Sequence, residues 1–180
     1  MGDNETDPYW RLRPWSATPE EEVCHCPLGV GVMLRDGLTK NPLFCVDCAG
    51  EVPPERLGFD ISFAQEIANW LSVYDSLYRL WLDSGEYEAW AAARLADPLG
   101  QVNRRGREIV GRLNDTVPAY YWWFEDADSQ EAEPMRCCPV CFGELKPYKN
   151  GISERVALAT SRFERVQAQI DSRYTATSLS

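Results

Sequence analysis

The 180-residue sequence predicts an α+β fold: a small cysteine-bearing knuckle and hairpin and a short sheet, packed with three to four helices. Three observations predict it. Val30, Val32 and Leu34 alternate outward from Gly29 and Gly31 and run into an Asp36-Gly37 turn signal, with cysteine pairs on both sides. Apolar residues then recur at three- and four-residue steps over several stretches, the mark of helices packed on a core. Between those stretches Ala119 to Phe124 (AYYWWF), bounded by Pro118 and Glu125, has the composition of a buried strand.

The elements follow in chain order. Residues 1–22 carry Pro8, Pro14 and Pro19 among charges and read as an extended or disordered acidic segment, with Trp10 and Trp15 able to tuck onto a core. Residues 23–180 read as a single domain. Strand pairing between Glu22 and Gly50 would bring two cysteine pairs together. Pro53 and Pro54 then break the chain before a helix marked by Ile61, Ala64, Ile67, Trp70, Leu71, Tyr74 and Leu77, with Ser62 and Gln65 at capping-box spacing and an end near Gly85. A second helix spans Glu86 to Leu95 and is stopped by Asp97 and Pro98. A third, Asn103 to Leu113, is weakened by Gly106 and Gly111. Near the C-terminus Ile152, Val156, Ala159, Phe163, Val166 and Ile170 predict a last helix.

Composition narrows the function. No run of apolar residues is long enough to span a bilayer, and the polar, acidic N-terminus lacks the features of a signal peptide, so a cytoplasmic location and no membrane partner are expected. The formal net charge is −10, with +3 concentrated in residues 101–112 and the acids grouped at Glu20–Glu22, Asp83–Glu88 and Glu125–Glu133. Such a surface repels phosphate backbones and attracts basic proteins.

Seven cysteines fall in three clusters, CHC at 24–26, CVDC at 45–48 and CCPVC at 137–141. Cysteines two or three positions apart aim their sulfurs into one small volume, which suits a thiophilic metal better than long-range disulfides. Cys24, Cys26, Cys45 and Cys48, two tight pairs one hairpin apart, are the simplest four-sulfur set for a structural Zn2+. Cys137, Cys138 and Cys141 could form a second site or, through Cys138 and Cys141, join Cys45 and Cys48 in an alternative one. With one complete quartet, one zinc per chain is expected.

His25 is the only histidine and lies between two candidate ligands, where a surface imidazole is expected. Without a second histidine, a Gly-rich phosphate loop or an HExxH motif, the chain does not read as an enzyme. Two binding functions compete. Arg104, Arg105, Arg107 and Arg112, with Tyr120 to Trp123 behind them, could contact phosphates and stack on bases. Alternatively, acids such as Glu86, Glu88, Asp126 and Asp128 around Trp90 suit an acidic module, of the immunity or antitoxin type, that engages a basic partner. The charge balance favours the protein partner and disfavours nucleic acid.

The order CHC, LFCVDCAGEVP, WLSVYDSLYRLWLDSGE, VPAYYWWF and CCPVCFGEL, from about Val23 to Leu145, resembles a bacterial Zn-ribbon-containing family of unknown function to which nucleic-acid binding is attributed. The resemblance implies that Cys24, Cys26, Cys45 and Cys48 match that family's first quartet, and Cys138 and Cys141 the first pair of its C-terminal ribbon. The chain departs from the family in having no Cys or His after Cys141 and in lacking the additional N-terminal segment.

Overall fold

Every residue of strand β1 (Val32–Leu34) and strand β2 (Leu43–Cys45) is buried, so neither shows the alternation of a strand with one wet face. The computed structural model, which describes residues 7–27, 31–37, 39–126, 136–144 and 156–157, explains this by topology. Strand order is β2-β1-β3-β4, with β3 spanning Ala119–Trp122 and β4 Val156–Ala157. β1 pairs antiparallel with β2, Val32 opposite Cys45, and parallel with β3, Val32 opposite Ala119. β1 is central and β2 lies at the edge, and the side chains of both are buried on both faces, so each reads as a continuous apolar run. One face (Val32, Leu34, Leu43, Cys45, Ala119, Tyr121) joins the main core, and the other (Met33, Phe44, Val46) forms a smaller cluster flanked by Tyr120 and Trp122.

The helices cover the main-core face. Helix α1 (Ile61–Asp83) buries Ala64, Ile67, Trp70, Leu71 and Tyr74 of the predicted stripe together with Phe63 and Ala68, whereas Ile61, expected in that stripe, is exposed. Its cap differs from the expected Ser62/Gln65 box: the Asp60 carboxylate accepts a 2.8 Å hydrogen bond from the Phe63 amide, one turn in, while Ser62 and Gln65 are exposed helical residues. Helix α2 (Glu88–Ala96) packs chiefly on α1, and helix α3 (Gln101–Leu113) on α1 and β3. Gly106, which reads in sequence as a weak point of α3, is a contact: a Cβ there would lie 2.2 Å from the Tyr121 ring. Close helix–strand approach requires the missing side chain.

Asn103, fully buried on α3, donates at 2.7 Å to the Leu95 and Asp97 carbonyls at the end of α2, and its Oδ1 accepts from the Tyr121 hydroxyl at 2.7 Å. One amide thus ties α2, α3 and β3 together.

Two expectations are corrected. Residues 7–22, expected to be extended or disordered, include two short 3-10 turns, and Leu12 is fully buried while the Tyr9 hydroxyl donates to the Phe59 carbonyl at 2.8 Å. The anchors are therefore Tyr9 and Leu12; Trp10 is 42% and Trp15 93% exposed. At the other end Val156 and Ala157 pair antiparallel with Trp122 and Tyr121, so these two residues are strand where the spacing predicts helix. The rest of that expected helix lies outside the described residues.

Candidate metal centre

Backbone pairing brings the first two cysteine clusters together. The segment Phe44 to Glu51 folds back on itself: Phe44 bridges Glu51, the Cys45 amide donates to the Gly50 carbonyl at 2.8 Å and the Ala49 amide to the Cys45 carbonyl at 3.0 Å. Ala49 turns the corner at φ 57°. Gly50 follows because there is no room for more, a Cβ falling 3.0 Å from the Cys24 nitrogen and the Glu22 carbonyl oxygen. The chain through Val23 then lies beside Glu51, with Cys24 donating to the Glu51 carbonyl and Glu51 to the Glu22 carbonyl, both at 2.8 Å.

The sulfurs of Cys24, Cys26, Cys45 and Cys48 consequently lie within 4.8 Å of one another. A tetrahedral ion with sulfur ligands at ~2.3 Å needs sulfurs roughly 3.8 Å apart, so the quartet fits a metal ion with small adjustment. A space of about 20 Å³ opens beside Cys24, Cys26 and Cys45 against Val32, Leu57 and Val117. Cys24 and Cys45 are buried and Cys48 is exposed, placing the site at the edge of the sheet.

Burial and hydrogen bonding move the thiols in opposite directions. Burial pushes the Cys45 thiol up to about 12, despite amide hydrogen bonds from Cys48 and Asp47. Burial also acts to raise Cys24, but hydrogen bonds from the Cys26 amide, the Cys45 and Cys48 thiols and Arg56 outweigh it and hold Cys24 below the usual range. A bound divalent cation would supply the compensation that Cys45 lacks.

Comparison with known proteins returns nothing: no family model, no curated protein and no solved structure matches the chain. What the site can do follows from its own geometry.

Sequence reasoning found the quartet but missed its supports. The Arg56 guanidinium donates to the carbonyls of both Cys24 and Cys26, pinning the CHC loop and placing a positive charge beside the sulfurs. The Glu51 carboxylate, only 8% exposed, accepts from Asn41 at 3.0 Å and Thr18 at 3.0 Å, bracing the edge along which Cys24 lies. Neither residue carries a local sequence signal, because each acts through contacts distant in the chain. His25 is 66% exposed with Nε2 3.2 Å from Glu20, as a surface imidazole should be.

The third cluster stands apart from the quartet, so the alternative grouping of Cys45 and Cys48 with Cys138 and Cys141 is not the one adopted. Cys137 and Cys141 are exposed and Cys138 partly buried.

The candidate arginines do not form one phosphate-facing row. Arg105 and Arg112 both pair with Glu66, at 3.1 and 2.7 Å, and Arg112 also lies over the Phe63 ring. Arg107 is 5% exposed and donates to the Pro98 carbonyl, so burial removes it from any surface contact. Arg104 and Arg105 line, with Trp90 and Arg94, a cavity of about 650 Å³ between α1, α2 and α3. Of the acidic candidates, Glu86 and Glu88 are exposed beside Tyr87 and Trp90, each about half exposed, at the corner between α1 and α2. Glu88 also accepts from the Gly85 amide. Asp126 follows Phe124, whose ring meets Tyr78 and Trp81 at the end of α1, and Asp128 lies outside the described residues.

Proposed function

We propose that Cys24, Cys26, Cys45 and Cys48 hold one structural Zn2+ and that the protein is a non-catalytic binding module, of the immunity or antitoxin type, whose acidic surface engages a basic protein partner. The observation that carries the metal assignment is the convergence of four sulfurs from two turns. An all-sulfur set favours zinc over harder cations, and four thiolates leave no open coordination position for a catalytic water. Bound zinc would leave about −2 on the centre, which Arg56 partly offsets.

The partner assignment rests on the corner formed by Leu82, Glu86, Tyr87, Glu88 and Trp90, where exposed apolar and aromatic surface sits among carboxylates on a chain of net charge −10. Acids at an interface rim steer association, and desolvated aromatics slow dissociation. The resemblance to a Zn-ribbon family supports nucleic-acid binding as the second reading, but two of the four arginines it would use are already paired with Glu66.

The metal assignment is tested by elemental analysis of wild-type and C45S protein, the variant losing one zinc per chain. The partner assignment is tested by affinity capture from the source cells. A basic protein recovered at fixed stoichiometry, and lost in an E86Q/E88Q/W90A variant, supports it; nuclease-sensitive recovery of nucleic acid overturns it.

A further inference from the structure

The chain contains the metal-binding turn twice. Residues Cys137 to Glu144 repeat Phe44 to Glu51 feature by feature. Cys137 bridges Glu144 as Phe44 bridges Glu51. The Cys138 amide donates to the Gly143 carbonyl at 2.8 Å and the Phe142 amide to the Cys138 carbonyl at 2.9 Å, against 2.8 and 3.0 Å in the first turn. Phe142 stands at φ 57°, the value of Ala49, and a glycine and a glutamate follow in both. The Val140 and Cys141 amides hydrogen-bond the Cys138 sulfur as those of Asp47 and Cys48 do the Cys45 sulfur, and the two thiols of each turn lie within hydrogen-bonding reach.

What differs is the other half. In the first turn the edge at Glu51 receives Val23 and, with it, Cys24 and Cys26. Among the described residues the edge at Glu144 pairs with Cys137 alone, and the only group of three or more Cys, His, Asp or Glu side chains placed to hold one ion is the quartet. The sequence has no further thiol or imidazole to give: four of its seven cysteines form the quartet, His25 sits on the quartet's loop, and Cys137 lies outside the cysteine pair of its own turn. Meanwhile the turn's tip is bare. Phe142 is 79% exposed in a left-handed conformation that a bulky side chain adopts only at a cost, and Cys141 is exposed beside it.

We propose that Cys138 and Cys141 are half of a second thiophilic cation site, completed by Cys138 and Cys141 of a second copy of this chain. Binding displaces the four thiol protons to solvent and yields a two-fold dimer in which the Phe142 rings cover the shared ion. Self-pairing is the completion that the chain's own ligand count leaves open, and a two-fold interface uses the same patch twice. The inference stands apart from the quartet's metal, since the two sites share no ligand.

The test uses the full-length protein purified with zinc. Expected are a particle of twice the 20.5 kDa chain mass by sedimentation and 1.5 zinc per chain by elemental analysis. A chelator titration should return monomers, and a thiol reductant without chelator should not. A C138S/C141S variant should be monomeric with 1.0 zinc per chain and an unchanged far-ultraviolet circular dichroism spectrum. Failure of the quartet assignment would look different, the dimer persisting with 0.5 zinc per chain. A zinc-loaded monomer with one or two zincs, a dimer that survives in the double variant, or a dimer dissolved by reductant but not by chelator each overturns the proposal.

Discussion

At the scale of single residues, α3 lies so close to β3 that one methyl group cannot be fitted between them. A Cβ at position 106 would meet the Tyr121 ring at 2.2 Å and the Trp70 indole nitrogen at 2.9 Å, and both rings are buried against further aromatics. Gly106→Ala gains helix propensity of about 1 kcal/mol but overpacks a rigid layer at a cost of typically 1–3 kcal/mol, so a net loss is expected. Gly111→Ala, on the same helix with nothing within 4 Å of the added atom, should stabilise. Chemical denaturation of the two variants would show opposite shifts in midpoint. Sequence alone treats these glycines alike, since the residues that distinguish them come from β3 and α1. Arg56 is a second residue without a local signal. Arg56→Met keeps the aliphatic stem and removes the two bonds to the Cys24 and Cys26 carbonyls. It should weaken zinc affinity about 10- to 100-fold, the usual effect of losing an outer-shell support, with the fold intact in a competition titration.

At the scale of elements, the helices were legible and the sheet was partly so. Three- and four-residue spacing located α1 to α3 because a helix records its buried face within its own sequence. The cap was misread because Ser62 and Gln65 match a spacing rule that Asp60 satisfies by actual contact with the Phe63 amide. Asp60→Ala should therefore cost about 1 kcal/mol in thermal or urea unfolding, while Ser62→Ala should change little. The hairpin was legible from its cysteine pairs; Asp36 and Gly37 lie within the longer connection between Leu34 and Leu43 and not in a two-residue turn. The parallel pairing of Val32 with Ala119 was not, because its determinants are far apart in sequence and β1, covered on both faces, shows no alternation. Tyr9 and Leu12 were hidden for the opposite reason: a short apolar pair in a Pro-rich acidic stretch carries no periodicity.

At the scale of the whole molecule, the quartet joins the edge of the sheet to the segment before it, at the margin of a main core that the three helices share with one face of the sheet. Chelating the metal should therefore act unevenly. Amide hydrogen exchange should accelerate for Cys24, Cys45, Ala49, Gly50 and Glu51, whose bonds hold the turn, and change least for the middle of α1 around Ile67 and Trp70. Uniform acceleration along the chain would mean instead that the ion supports the entire fold. The location of the four ligands was readable because two short-range pairs were enough to specify it.

The quartet is complete by Cys48, whereas β3, the strand that flanks β1 on its other side, begins only at Ala119. Synthesis on the ribosome proceeds at about 5–20 residues per second, so all four cysteines are synthesised several seconds before β3. The nascent chain can thus close on an ion while its sheet is still a two-stranded hairpin, which is marginal on its own in water. On the proposed metal assignment, metal supplied during translation is expected to raise the native yield more than metal added to the finished protein.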